Sequence, residues 1–224
     1  MLSATTRETP ASPPVSISTR APYTVSDLAA DAIGLMDAYR FESAHVVGQS
    51  LGGMVAQAIT IEHPGRTRTL TSVMSMPGVP KRPVANRDEQ TAEAAPGPPP
   101  TREEWIERRV EVTRRMTGSL APFDEACRRA LAVREAERVR NFDSNNNHGR
   151  AVAISPDRLA ALREVRVPTL VIHGTGDPVI PHSEGVATAN AIPGAKLLTI
   201  EKLGHELPKA VWPEITEAIL RHTG

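Results

Sequence analysis

Ser50, Asp177 and His205 have the side chains that acyl transfer by a serine requires, and they follow one another in one of the chain orders in which such triads occur. A serine hydroxyl is a weak nucleophile until a base accepts its proton, and histidine is well suited to that task. A carboxylate beside the histidine would fix its tautomer and stabilise the imidazolium that forms. Each of the three follows a predicted strand, so the pattern predicts that they meet at one edge of a sheet.

The serine lies in the segment Gly48-Gln49-Ser50-Leu51-Gly52, which matches G-x-S-x-G. This motif predicts a strained turn from a strand into a helix that exposes the serine. We expect the glycines at 48 and 52 to let the strand and the helix pack closely. The N–H of Leu51 would be the first of the helix and would point toward a developing oxyanion. A simple Gly-Ser loop is the alternative interpretation of these five residues.

The acid and the base also have structural alternatives. Asp177 precedes Pro178 and would be explained equally well by an Asx turn. His205 would be explained as a loop histidine, and His173 and His182 are rival bases. We favour His205 because His173 lies on the strand itself and His182 opens the next helix. The chain order and the three strand-end positions together favour a catalytic triad.

The elements that would position these residues alternate between strands and helices. The stretches with continuous or β-branched apolar residues predict strands at about 44–49, 69–74, 167–173 and 196–200. Apolar residues at helical spacing predict helices at about 24–40, 54–62, 183–191 and 213–222. This alternation predicts an α/β fold with a mostly parallel sheet flanked by helices.

A change of composition interrupts that alternation after Met76. Proline-rich sequence up to Pro100 predicts an irregular linker, and charged helices follow from Thr101 and from about 123 to 139. The segment 141–150 is expected to be a loop. These patterns predict four regions: a polar N-terminal segment (1–22), a first half of the core (23–76), a linker with a helical cap (77–155) and a second half of the core (156–224).

The overall composition excludes several classes of function. The chain has 224 residues with 26 basic and 26 acidic side chains, so its formal net charge is zero. Aromatic residues make up 3%, which leaves few stacking surfaces for nucleic acid. Neither a signal peptide nor a membrane span is recognisable. The lone cysteine, Cys127, excludes an internal disulfide. We expect a cytoplasmic protein without a metal or cofactor that acts on a small molecule and binds neither nucleic acid nor membranes.

The motifs together resemble the α/β-hydrolase superfamily, and the resemblance extends from Tyr23 to Gly224. Its anchors are the segments 46–54 and 167–174, Asp177-Pro178 and Gly204-His205. Within the superfamily the chain is similar to bacterial esterases that include the aclacinomycin methylesterases, in which a helical cap separates the two halves of the core. The resemblance implies Ser50 as nucleophile, His205 as base, Asp177 as orienting acid, a carboxylic ester substrate and no cofactor.

The sequence departs from the family before Tyr23. Family members carry several strands and a His-Gly oxyanion loop there, where this sequence has 22 mostly polar residues. The resemblance therefore implies a truncated fold with Leu51 N–H as one oxyanion donor and a second donor from elsewhere. The apolar strand 44–47 would lie at a sheet edge, so we expect a homo-oligomer, most simply a dimer. Residues 15–18 of a partner would be one cover for that edge.

Two other functions use the same residues. A perhydrolase or haloperoxidase-like enzyme without a cofactor would use the triad for peracid chemistry, and assays with and without peroxide would identify it. A catalytically weak or silent interaction protein would keep the triad only by descent. A fluorophosphonate probe that reacts with an activated serine would identify that case by failing to label the protein.

Overall fold

The computed structural model describes residues 23–78, 100–142 and 146–224. Residues 15–18, named above as one cover for the sheet edge, and most of the proline-rich linker lie outside these ranges. The described part of the chain contains four strands, β1 (Ala44–Gln49), β2 (Thr67–Val73), β3 (Thr169–Gly174) and β4 (Lys196–Ile200).

All four strands are parallel and follow one another in the order β1-β2-β3-β4. This arrangement confirms the predicted parallel sheet. Every residue of β3 is buried, which explains its uninterrupted apolar sequence. Strand β3 begins two residues later than predicted, at Thr169. Pro168 has no N–H for the ladder, although its carbonyl still accepts from Leu70 N.

Helices cover both faces of the sheet. The helices around the sheet are α1 (Val25–Ala38), α2 (Leu51–Glu62), α6 (Leu159–Leu162), α7 (His182–Ala191) and α8 (Trp212–Thr223). Val25, Ile33, Met54 and Ile59 form an apolar cluster between α1 and α2, while Ile215 of α8 packs with Ile172 and other residues in a second cluster. None of the described helices has both the length and the apolar character needed to cross a membrane.

Two further helices, α3 (Arg102–Met116) and α4 (Glu125–Arg138), pack against each other away from the sheet. They share a small apolar cluster centred on Trp105 and Val110, while ion pairs such as Arg109–Glu135 link their polar faces. Exposed pairs of this kind add little stability, so the cap is held mainly by its apolar cluster. Thr101 is the N-cap of α3 and forms a capping box with Glu104.

The expected loop at 141–150 is wrong from residue 146 onward. Helix α5 spans Asn146–Ile154. The following residue, Ser155, accepts a 2.9 Å hydrogen bond from Val25 N at the start of α1, and Val152 packs against the α1–α2 cluster. Contact with a distant helix thus stabilises a segment whose own asparagine-rich sequence favours a turn. The end of the predicted cap therefore contacts the core, and the division at residues 77 and 155 stays a prediction.

Candidate active site

Hydrogen bonds connect the three residues on which the sequence analysis centred. His205 Nε2 lies 2.8 Å from Ser50 Oγ, and His205 Nδ1 lies 2.7 Å from Asp177 Oδ2. The Asp177 side chain is fully buried and that of His205 is 7% exposed. A carboxylate so close to Nδ1 keeps the imidazole proton there, so Nε2 accepts the hydrogen of the serine hydroxyl. The fold therefore brings together the three predicted residues in a geometry that permits proton transfer from serine to histidine.

Ser50 has a strained backbone. Its φ of 54° and ψ of −120° are unfavourable for a residue with a side chain. Hydrogen bonds hold this conformation: Ser50 N donates to Val73 O at 2.9 Å, and Ser50 O accepts from Gly53 N at 2.9 Å and from Ser75 Oγ at 2.8 Å. Ser75 belongs to no sequence motif, and only its position just after β2 indicates that it lies at the same sheet edge.

The glycines of this turn do not all have the role that the motif predicted. A side chain at Gly48 would place Cβ 2.0 Å from the carbonyl oxygen of Gly52, so glycine is required there. Gly52 itself faces open space, and the expectation that it permits close packing is wrong. Gly53 has that role instead, because a Cβ at this position would lie 2.5 Å from Ser75 Cβ. Gly52 lies on the exposed side of α2 and Gly53 on the buried side, because successive residues of a helix point in different directions.

The remaining elbow residues lie beside Ser50. Gln49 is exposed, and its Nε2 donates to Met74 Sδ at 3.3 Å. Leu51 begins α2, and its side chain packs against the α1–α2 cluster. The N–H groups in the first turn of a helix have no acceptor within that helix. The Leu51 N–H is one of these groups and directly follows Ser50 in the chain.

Asp177 is held as an ionised carboxylate by several donors. Its Oδ1 accepts from Val179 N at 2.8 Å and from Ile180 N at 2.9 Å, and its Oδ2 accepts from His205. Burial alone would raise the pKa of this carboxyl group. The donors from His173, His205 and the Ile180 backbone together outweigh burial and lower the pKa to about 2. Asp177 is therefore charged throughout the neutral pH range.

His173 and His182, the rival bases, have other partners. His173 Nε2 lies 2.9 Å from Ile180 O and 3.5 Å from Asp177 Oδ2, and the ring is fully buried. Its Nε2–H therefore links the turn that presents Asp177 to the strand behind it. His182 Nε2 lies 2.9 Å from Thr199 Oγ1. Of the three histidines, His205 is the one that lies within hydrogen-bond distance of Ser50 Oγ, while His173 supports the acid, a contact that no motif predicted.

The loop that carries His205 is anchored to the core of the molecule. Lys202 adopts a φ of 60°, and its N–H donates to Thr175 Oγ1 at 2.8 Å. Gly176 N donates to Leu203 O at 3.0 Å. The residues just after β3 therefore fix the approach to His205, and the same turn continues directly into Asp177. Acid and base are thus positioned by two adjacent loops at the carboxyl ends of β3 and β4.

A cavity of about 270 Å³ lies beside this loop, between the cap helices and the segment that follows His205. Phe123, Leu131 and Leu207 form part of its apolar wall, and Thr113 and Glu206 contribute polar groups. Burial raises the pKa of the Glu206 carboxyl group, and the positive charge of Arg128 offsets part of this effect. The cavity therefore combines apolar surface with a few polar groups, as binding sites for small molecules do.

Metal chemistry has no evident site in the described part of the chain. Within residues 23–78, 100–142 and 146–224, no group of three histidine, cysteine or acidic side chains is placed to hold a metal ion. Cys127 on α4 is partly buried.

Two named esterases are similar to this chain in sequence over most of its length. Rhodomycin D methylesterase DnrP from Streptomyces peucetius is 34% identical over 222 residues, which cover 90% of this chain and 74% of the relative. DauP from Streptomyces sp. strain C5, also named a rhodomycin D methylesterase, is 33% identical over 90% of this chain and 74% of its own length.

Known structures are similar as well. A hydrolase from Pseudomonas aeruginosa superposes with a TM-score of 0.71 at 26% identity and covers 91% of this chain and 73% of its own. Residues 11–213 match the Alpha/beta hydrolase family. This match spans most of the sequence and includes Ser50, Asp177 and His205. The chain therefore belongs to the alpha/beta hydrolase family.

Proposed function

We propose that this protein hydrolyses carboxylic esters through an acyl-enzyme formed on Ser50. The observation that carries the proposal is the continuous hydrogen-bonded series from Ser50 through His205 to the buried, ionised Asp177. The strained backbone of Ser50 adds support, because strain of this kind persists where the surrounding structure enforces it, often at active sites. Family membership and the named methylesterase relatives support the same reaction class.

In the acylation step, His205 Nε2 accepts the proton of Ser50 Oγ while Oγ forms a bond to the ester carbonyl carbon. The carbonyl oxygen becomes an oxyanion in the tetrahedral intermediate. Asp177 stabilises the imidazolium of His205 and remains ionised. The imidazolium then donates its proton to the alkoxy oxygen, the bond from carbon to that oxygen breaks, and an alcohol leaves.

Deacylation repeats these steps with water as the nucleophile. His205 Nε2 accepts a proton from a water molecule as the water oxygen bonds to the acyl carbon. The second tetrahedral intermediate collapses when the imidazolium returns the proton to Ser50 Oγ. The products are a carboxylic acid and the free serine, so the cycle needs no oxidant, metal or cofactor.

The oxyanion would be stabilised first by the N–H of Leu51. This group follows Ser50 directly and begins α2, so the positive end of the helix reinforces it. Acyl transfer enzymes commonly use two such donors, and loss of one lowers turnover by roughly a hundred- to a thousand-fold. The source of the second donor is therefore a central property of this enzyme.

The ester that we favour is a methyl ester, because two relatives at 33% and 34% identity are named methylesterases. The cavity next to Glu206 has an apolar wall with a few polar groups, which would suit a largely apolar acid. Ser50, Asp177 and His205 do not line this cavity, so it would hold a part of the acid that is remote from the ester carbon.

Labelling with a fluorophosphonate tests the proposal directly. This probe bonds covalently to a serine whose hydroxyl is activated by a neighbouring base. We expect stoichiometric labelling of the wild-type protein and none of Ser50→Ala, with the labelled peptide containing Ser50. An unlabelled wild-type protein would contradict the proposed function and would favour a silent interaction protein.

We further propose that the protein is a homo-oligomer, most simply a dimer. Within the described sheet, β1 pairs only with β2 and forms an edge. Leu35, Tyr39, Phe41 and Val47 nearby are each about half exposed or more. An apolar edge of this kind is a template for pairing with another chain. The partner would also be in a position to supply the second oxyanion donor.

The oligomer is tested by light scattering combined with activity on dilution. We expect a dimer at micromolar concentration and a specific activity that falls as the protein dissociates. Val47→Lys should shift the equilibrium toward the monomer, because a charged edge strand resists pairing. A monomer with full specific activity would contradict the proposal and would show that the chain completes its site alone.

A further inference from the structure

The cap contacts the main chain of His205. His205 N donates to the carbonyl oxygen of Met116, the last residue of α3, at 2.8 Å. Leu120 N donates to Lys202 O at 3.1 Å. Two backbone hydrogen bonds thus join the segment that ends α3 to the loop that carries His205. Neither bond involves a side chain, so no sequence motif identifies them.

Two glycines allow this close approach. A Cβ on Gly118 would lie 2.3 Å from Lys202 O and 2.4 Å from Gly204 N. A Cβ on Gly204 would lie 2.1 Å from Gly118 N and 2.4 Å from Met116 O. All of these contacts are with backbone atoms, which cannot rotate away as a flexible side chain would. The two main chains are therefore packed as closely as glycine permits.

The loop is held from the opposite side by the core. Thr175 Oγ1 accepts from Lys202 N, and Leu203 O accepts from Gly176 N. The side chain of Leu120 packs against an apolar cluster that includes Leu203. The backbone that leads to His205 is consequently fixed between the end of β3 and the end of α3.

We propose that Met116–Leu120, here called the cap clamp, positions His205 for catalysis. The inference rests on the proposed function and extends it, because it assigns a catalytic effect to cap residues that contact no reacting atom. A misplacement of about 1 Å at a catalytic group lowers the rate by roughly a hundred-fold. The cap clamp fixes the His205 N–H directly, so its displacement moves the imidazole relative to Ser50 Oγ.

Gly118→Ala tests the cap clamp by forcing the two main chains apart. We expect kcat for a small activated ester to fall by about 10- to 100-fold while KM changes by less than about three-fold. Gly65→Ala is the matched control, because a Cβ there meets nothing within 4 Å. Thermal unfolding of both variants shows whether each is folded. A folded Gly118→Ala protein with kcat within two-fold of wild type would overturn the inference.

Leu120→Ala provides a second test without a steric clash, in case Gly118→Ala does not fold. Removing this partly buried side chain loosens the cap clamp, so kcat should fall by several-fold. Leu220→Ala is its control, because Leu220 is 63% exposed on α8. If kcat of Leu120→Ala equals that of the control, the cap clamp does not position His205.

A spectroscopic measurement separates failure of the inference from failure of the proposed function. The His205 Nδ1 proton, hydrogen-bonded to ionised Asp177, should give a strongly downfield proton resonance that His205→Ala removes. We expect Gly118→Ala to shift or broaden this signal and Gly65→Ala to leave it unchanged. An unchanged signal in both variants contradicts the cap clamp even if the ester is hydrolysed. If Gly118→Ala shifts the signal but the wild-type protein hydrolyses no ester, the result supports the cap clamp and contradicts the proposed function.

Discussion

Ser50→Ala and His205→Ala are each expected to lower kcat for ester hydrolysis by about 10⁴-fold or more, and the double variant should be no worse than either single one. The reason is that Ser50 Oγ is activated only through the 2.8 Å hydrogen bond to His205 Nε2. Once either atom is missing, removal of the other costs nothing further. Steady-state kinetics at saturating ester measures this non-additivity.

The controls are an exposed serine and an exposed histidine in other parts of the fold. Ser183→Ala lies in the first turn of α7, and His148→Ala lies on α5, where its ring contacts Tyr23. Both should keep kcat within two-fold of wild type. Retention of more than a tenth of the activity by Ser50→Ala would refute an acyl-enzyme at this residue. Additive losses in the double variant would mean that Ser50 and His205 act independently.

Asp177→Asn is expected to reduce kcat by about 10⁴-fold without unfolding the protein. Oδ1 of Asp177 accepts from Val179 N and Ile180 N, so the amide oxygen of an asparagine would stay in that position. The amide NH₂ would then face His205 Nδ1, which has to become an acceptor. The imidazole proton moves to Nε2, and Nε2 is no longer able to accept the proton of Ser50.

This prediction is measured by kinetics together with the downfield proton resonance of His205. We expect Asp177→Asn to lose the resonance, because Nδ1 no longer carries a proton. Asp31→Asn, an exposed carboxyl group on α1, should change neither quantity. An Asp177→Asn protein that keeps the resonance and at least a tenth of the activity would show that another group orients His205.

The sequence determined the features that depend on local patterns. Apolar and β-branched segments predicted the four strands of the described residues, because a strand that is buried in a sheet is itself rich in such residues. Each residue of the set Ser50, Asp177 and His205 follows a predicted strand. This position predicted that the three side chains meet, because parallel strands end at the same edge of a sheet. The capping boxes at Thr24 and Thr101 were predictable for the same reason: the atoms that satisfy one another lie within one turn of helix.

Only the tertiary structure decided the features that depend on contacts between distant segments. Helix α5 forms where the sequence predicted a loop, because contact with α1 outweighs a weak local preference. Gly53 rather than Gly52 faces the sheet, because the rotation of α2 is set by the packing of its apolar side. The supports of the site, His173 behind Asp177 and Met116 at His205, join residues through buried or backbone contacts. Such contacts produce no recognisable sequence pattern. Every residue type has the same backbone carbonyl, so nothing in the sequence identifies Met116 as an acceptor. His173 is a single buried residue and belongs to no repeating pattern.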